Sequence, residues 1–286
     1  AASGRVVMGW FPVGERGLAM GTRQTAQPLG VAIAALALPP LAHANGAHAA
    51  LLFPVLLCAV AAIAVLVVVT DPPRPPRAAD AAPAASPYRG SWQLGRVHLA
   101  SALLVVPQFA VATFTLVYLV GERHWDASVA GRAIFAFQVA GAAGRIVSGV
   151  WSDRVGSRLR PMRQLAVASA ALMVLLSIGA GLHAWWIVIG FALGAVVTVA
   201  DNGLAYTSVA ELAGADWSGR ALGAQNTVQN IAAVATAPLL AAIIGDSRYA
   251  LGFAFVALFP IIAIGTTPVR AEGRRRVLAP PGIGGG

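Results

Sequence analysis

Long apolar runs alternate with short polar connections from one end of the chain to the other. Eight of these runs reach the roughly 20 mostly apolar residues needed to cross a bilayer. They fall at about 17–42, 48–69, 97–120, 128–150, 164–183, 185–209, 219–244 and 249–268. Residues 1–12 read as the tail of a further run, ending at Trp10-Phe11-Pro12. Alternation at period 2 is absent, which leaves helices as the spanning structure. The expected fold is all-α, a polytopic membrane helix bundle.

Composition agrees. Of 286 residues, 58% are hydrophobic and 11% are charged, where a soluble domain carries roughly a quarter charged. The net charge of +9 would point to nucleic acid in a soluble protein. Here the basic residues fall in short loops, so the expected partner is a lipid bilayer and not nucleic acid. The densest cluster is Arg154, Arg158, Arg160 and Arg163, squeezed between two apolar runs. When the connections are assigned to alternate sides, about fourteen arginines fall on the side of that cluster and two on the other. Arginine collects in cytoplasmic loops, so that side is expected to be cytoplasmic, and the C-terminus with it. The chain has no lysine and is rich in Ala, Gly, Val and Arg. That usage suggests a GC-rich bacterial genome and hence a bacterial inner (plasma) membrane.

Candidate chemistry is sparse. The single cysteine, Cys58, lies inside an apolar run; it excludes an intrachain disulfide or a thiolate metal site and reads as a small core residue. The five histidines sit near helix ends without metal spacing. Gly179-Ala-Gly181-Leu-His-Ala184 imitates a dinucleotide fingerprint but follows no strand. Nucleophile-elbow and Walker A motifs are missing. Neither a cofactor nor a catalytic residue is expected.

Residues 71–95, rich in Pro, Ala and Ser, read as an extended cytoplasmic linker. They separate a first part, residues 1–70, from a six-helix part, residues 96–269, and residues 270–286 read as a disordered cytoplasmic tail. A shift of 202 places superimposes Gly17, Ala19, Gly21, Thr25 and Gln27 on Gly219, Ala221, Gly223, Thr227 and Gln229. Two pseudo-symmetric halves joined by a linker are the architecture of many transporters. Gly219 opens the fifth helix after the linker, so Gly17 opens the fifth helix of the first half. The second half runs about 120 residues from its start to Gly219, so by the same architecture about 100 residues would precede Ala1, and the sequence reads as a fragment.

Polar groups inside a span need a partner or a water-filled cavity. Arg23, Gln24, Thr25 and Gln27 lie in one of the two repeated helices, and Gln225, Asn226, Thr227, Gln229 and Asn230 in the other. Pairs four apart share a face, so the two helices suggest two walls of one substrate cavity. Gln108, beside Pro107, and Gln138 are further cavity candidates. Asp201 lies deep within its run; a carboxylate that gains and loses a proton as access changes is a candidate for proton coupling, with Arg145 or Arg23 as a possible ion-pair partner. Gly-x-x-x-Gly spacings at Gly17/Gly21, Gly190/Gly194 and Gly219/Gly223 allow close helix approach.

The stretch Gly149-x-x-Ser152-Asp153-Arg154-x-Gly156-x-Arg158-x-Arg160 resembles the loop signature of the major facilitator superfamily, in the copy after its eighth helix. Trp10-Phe11-Pro12 with Glu15-Arg16-Gly17 is similar to that superfamily's join between helices four and five. The resemblance covers the whole chain as helices five to twelve, an incomplete copy of the fold. It implies a gating role for Gly149, Asp153, Arg154, Gly156, Arg158 and Arg160. Asp153 would face the positive end of the helix opening at Arg16 and Gly17, and the arginines would add ion pairs, with Glu15 one partner, or lipid phosphate contacts. One departure concerns export: Ala34-Ala35 stands where proton-driven exporters of the superfamily often carry Gly-Pro.

The expected function is secondary transport of a small solute by alternating access, coupled to protons, by a protein that works as a monomer when full length. Drug-type efflux and metabolite uptake both fit. The alternatives are a polytopic membrane enzyme, for which no acid/base or nucleophile constellation is present, and a non-transporting receptor or scaffold.

Overall fold

A computed structural model describes residues 2–73, 85–89, 91–270 and 272. Much of the expected linker, including Arg74 and Arg77, and of the expected tail, including Arg274 to Arg276, lies outside the described residues. Every regular element among the described residues is helical: α1 (Ala2–Trp10), α2 (Arg16–Gln24), α3 (Ala26–Val68), α4 (Gln93–Gly121), α5 (Ala127–Val155), α6 (Leu159–Gly181), α7 (Ile187–Val197), α8 (Asp201–Ala213), α9 (Ser218–Ile244) and α10 (Tyr249–Thr266).

Seven segments among the described residues are long and apolar enough to cross a membrane. The eighth expected span, 17–42, is helical but interrupted at Thr25, where Thr25 N–H bonds to Thr22 O and closes a tighter turn. The polar connection expected at 43–48 shrinks to one non-helical residue, Gly46, with φ 80° and ψ 164°. Glycine adopts that positive φ at little cost, so α3 turns there and continues. The expected span 185–209 is also divided. Ala200 N–H and Asn202 N–H bond to the carbonyls of Val197 and Val199, an i to i−3 pattern that tightens the helix mid-span and separates α7 from α8.

Helix ends sort the chain onto two faces. Arg16, Arg96, Arg158, Arg163, Arg220 and Arg270 flank ends of α2, α4, α6, α9 and α10 at one face. At the opposite face Asp126 caps α5, accepting from Ser128 N–H at 2.9 Å, from Val129 N–H at 3.2 Å and from the Ser128 hydroxyl. The Ser128 hydroxyl and the two backbone donors hold the Asp126 carboxyl below its ordinary pKa. Two apolar clusters fill the bundle. Met20, Leu104, Met162, Leu204 and Leu222 lie toward the arginine-rich face; Tyr118, Phe191, Leu240 and Phe253 lie toward the other. A polar layer occupies the junction between them.

Close helix approach fixes how α2 meets α5. A Cβ on Gly17 would lie 2.5 Å from Gly149 O, and a Cβ on Gly21 2.5 Å from Arg145 O. Gly21 also packs on Gly203 of α8. In the repeat partner α9, Gly219 and Gly223 have nothing within 4 Å, so their expected close packing is not seen among the described residues. Gly149→Val is expected to force α2 from α5 and lower stability by about 1–3 kcal/mol or more. Gly131→Ala on the same helix, where a Cβ meets nothing within 4 Å, should be neutral or slightly stabilising. Thermal unfolding in detergent, followed by helical circular dichroism, distinguishes the two; equal midpoints would contradict the close-packing argument.

Cys58 is exposed, not the core residue its apolar run suggested. Beyond Gly46, α3 presents Leu56, Val60, Ile63 and Leu66 outward. An apolar run in a membrane protein faces lipid as readily as a core, and hydrophobicity alone does not distinguish them.

Candidate functional site

Two small cavities meet in the polar layer. One, of about 160 Å³, is lined by Arg23, Gln24, Gln27, Gln108, Asn202, Tyr206, Asn226, Gln229 and Asn230, with Val105, Phe109 and Ala233. The other, of about 150 Å³, shares Gln27, Gln108 and Phe109 and continues to Gln138, Arg145, Phe137 and Val31. Together they approach the lower end of the range for ligand pockets, roughly 300 Å³. The structure thus brings eight of the nine residues expected in the cavity, all except Gln225, to one place.

Their geometry follows from helix periodicity. Gln225 and Gln229 sit one turn apart on α9 and both meet α4: Gln225 Nε2 donates to Ser101 Oγ at 2.5 Å and Gln229 Nε2 donates to the same oxygen at 2.6 Å. Gln229 Nε2 also donates to Asn202 Oδ1 at 3.1 Å, and Asn202 Nδ2 donates to Gln108 Oε1 at 2.7 Å. Tyr206 Oη, one turn beyond Asn202, donates to Asn226 Oδ1 at 2.9 Å. The guanidinium of Arg23 lies 5.7 Å above the Tyr206 ring, within cation–π range.

Gln225 differs from its expected role. It is fully buried and its Oε1 lies 2.5 Å from His98 Nδ1. An amide oxygen only accepts, so Nδ1 carries the proton and His98 Nε2 accepts from Tyr88 Oη at 3.1 Å. Gln225 therefore ties α9 to α4 and to the segment before it and does not line the cavity. Asn202 and Tyr206 line the cavity and were absent from the expected set, as were His98 and Ser101, which brace Gln225 and Gln229 beside it. For the bracing pair a signal existed: His98, Ser101 and Gln108 follow helical spacing on α4.

Asp201 opens α8 directly after the tightened turn and is 3% exposed. Its Oδ2 has no hydrogen-bond partner among the described residues. The positive end of the α8 dipole favours a carboxylate there. The charge acting on it is the Arg145 guanidinium, yet no direct ion pair joins the two side chains. Arg145 is 1% exposed and donates to Gln24 O at 2.5 Å and Gln27 Oε1 at 3.2 Å. It thereby bridges α5 to the α2–α3 junction and stands between cavity and carboxylate. Ser148 Oγ donates to Ala200 O at 2.7 Å, satisfying a carbonyl at the tightened turn.

At the arginine-rich face a second constellation joins the loop between α5 and α6 to α2. Asp153 accepts from Gly17 N–H at 3.0 Å and Leu18 N–H at 2.8 Å, so its charge sits on the orphan donors that open α2. Arg158 donates to Asp153 Oδ1 at 2.5 Å, to Ser152 Oγ at 2.8 Å, to Val13 O at 2.5 Å and to Glu211 Oε1 at 3.3 Å. Burial pulls the Arg158 pKa down, but Glu211 and Asp153 outweigh it and the net shift is upward; the guanidinium stays charged. Glu272 accepts from Arg158 N–H at 2.8 Å, Leu159 N–H at 3.3 Å and the Ser157 hydroxyl, and so caps α6. Gly156 ends α5 with φ 63°. Arg154 and Arg160 are exposed and form no ion pair among the described residues. Arg158 pairs with Asp153 and Glu211 where Glu15 had been one expected partner. The loop is short enough to aim only one of its arginines inward.

A family model described as the Major Facilitator Superfamily matches residues 1–237, and the chain belongs to that superfamily. It is 46% identical over 284 residues to an MFS-type transporter of Mycobacterium tuberculosis strain H37Rv, and 45% identical over 284 residues to one from strain CDC 1551. Each match covers 99% of this chain and 62% of the relative, so the chain spans less than two thirds of the length of these curated relatives. The chain groups with membrane transporters and not with enzymes.

Proposed function

We propose that the chain forms part of a secondary active transporter that moves a small polar solute by alternating access. In this reading Asp201 carries the coupling proton. The cavity residues, from Arg23, Gln24 and Gln27 through Gln108 and Gln138 to Asn226, Gln229 and Asn230, bind the solute. Asp153 and Arg158, seated by Gly149 and Gly156, hold the arginine-rich face closed, and Arg154 and Arg160 lie at its rim. That face is cytoplasmic, by the bias of arginine toward cytoplasmic loops, in a bacterial inner membrane.

The observation that carries the reading is the amide-lined cavity beside a buried carboxylate with an unpartnered oxygen. Amides both donate and accept, so they suit hydroxyl, amide or carboxylate groups of a solute better than a bulky amphiphile. Arg145 supplies the electrostatic link, since it holds Gln24 and Gln27 and also acts on Asp201. A proton on Asp201 would leave the Arg145 charge less compensated and alter its hold on the α2–α3 junction. Solute and proton then act on one bistable contact.

The test is flux in proteoliposomes under an imposed pH gradient. Polar metabolites and amphiphilic drugs are offered separately, and collapse of the gradient is read with a pH-sensitive dye. Collapse on adding a polar solute is expected. Flux indifferent to the gradient would remove the coupling, and collapse with amphiphiles alone would remove the substrate class.

A further inference from the structure

At the arginine-rich face, away from both the cavity and the Asp153 network, the ends of α4, α6 and α10 enclose a pocket of about 560 Å³. Its lining includes Arg96, Arg163 and Arg270 and no carboxylate. Arg96 is held in place by bonds from Nε to Thr266 O at 3.0 Å and from Nη2 to Gly265 O at 3.1 Å, so it serves the last carbonyls of α10 and keeps its charge at the pocket. Arg163 lies in the first turns of α6, where the helix dipole adds positive potential. The side chains of Arg163 and Arg270 make no hydrogen bond or ion pair with another described residue. Glu272, only two residues beyond Arg270, is engaged elsewhere, with Ser157, Arg158 and Leu159.

Three cations lining one pocket without a carboxylate among the described residues call for an anion, and the surroundings say which kind. One turn deeper on the same helix faces, Leu99 follows Arg96, Val167 follows Arg163, and Ile262 precedes Thr266; these are 44%, 50% and 52% exposed. The pocket thus stands above an exposed apolar surface. A free anion would satisfy the arginines and leave those side chains unused. An amphiphile with an anionic head and acyl tails uses both. We infer that this pocket binds the phosphate headgroup of an anionic phospholipid, with its acyl chains lying along α4, α6 and α10. On the cytoplasmic side of a membrane, which the reading proposed above gives to this face, basic pockets between helices suit such headgroups.

The purified 286-residue chain in detergent, exposed to mixed phosphatidylglycerol and phosphatidylcholine, provides the test, with retained lipid counted by native mass spectrometry. Phosphatidylglycerol should be retained preferentially. The double variant Arg163→Gln/Arg270→Gln should lose about thirtyfold of that preference, the value of two surface arginines near an anionic headgroup. Arg132→Gln, at the opposite face, should leave it unchanged. A double variant with unaltered preference and an intact helical spectrum overturns the assignment. Displacement of phosphatidylglycerol by millimolar inorganic phosphate also overturns it, since the site would then be one for free phosphate.

Discussion

Asp201→Asn should abolish accumulation of solute against a gradient while sparing downhill exchange. One proton moving down 100 mV releases about 2.3 kcal/mol, and one pH unit adds about 1.4 kcal/mol. Together these sustain a gradient of roughly a few hundredfold for a neutral solute, and the variant should reduce it to about unity. Asparagine matches the shape of aspartate, so the tightened turn before α8 and the contact of Ser148 with Ala200 O should persist and the cavity should still bind. Equilibrium exchange of labelled solute between the two sides of a proteoliposome measures that retained step. Undiminished accumulation in the variant would eliminate Asp201 as the coupling group. Loss of exchange together with accumulation would mean that the carboxylate positions Arg145 and does not carry the proton.

Asp153→Ala should open the arginine-rich face. The carboxylate accepts two backbone N–H groups of α2 and pairs with Arg158, whose side chain is 5% exposed. Removing one partner of a buried pair costs about 3–5 kcal/mol when the other charge is left uncompensated; here Glu211 still faces Arg158, so the loss is smaller. If the contact is made only when the face is closed, the open population rises by up to about a hundredfold. A reporter is available in Met20→Cys, a fully buried position on α2, once Cys58 has been changed to Ser. A membrane-impermeant maleimide should modify it much faster in the Asp153→Ala background. Asp153→Asn, which keeps one acceptor oxygen for the α2 donors, should fall between. Equal labelling rates in all three would exclude Asp153 from holding the face closed.

The two sites differ in how far they could be read in advance. Asp153 was legible because the loop resembles the superfamily's signature, and the resemblance implies that its carboxylate faces the helix opening at Gly17, where the first turn of α2 offers orphan N–H groups. Arg158 was legible as a member of the loop but not as its inward-facing arginine. Which of Arg154, Arg158 and Arg160 turns inward depends on Gly156 ending α5 and on Glu211 waiting on α8, a separation of 53 residues. Glu272 gave no signal at all, since its role as a cap for α6 arises only when the end of α10 lies beside the loop.

In the cavity, the polar pairs four apart, Arg23/Gln27 on α2–α3 with Gln225/Gln229 and Asn226/Asn230 on α9, identified these helices but not the orientation of each side chain. Gln225 and Gln229 are equivalent by periodicity, yet one is sealed against His98 and the other reaches the cavity. The difference comes from Tyr88 and His98 covering the first and not the second. Arg145 was one of two partners weighed for Asp201, and its bonds to Gln24 and Gln27 join helices whose residues are 121 and 118 apart in sequence.

Sequence by itself determined the class of fold, the number and order of most spans and the arginine asymmetry between faces; of the helices that line the cavity it pointed to some but not to α8, which supplies Asn202 and Tyr206. Each of these follows from composition within one segment, because burying a backbone in hydrocarbon requires a helix and a charge requires a membrane surface. Tertiary structure alone decided which apolar faces are buried against protein and which are left exposed, as Cys58 shows. It also decided which polar side chain in a matched pair faces the cavity, and where three distant arginines converge. Those outcomes depend on helix rotation and on partners far away in the chain, which no local pattern encodes.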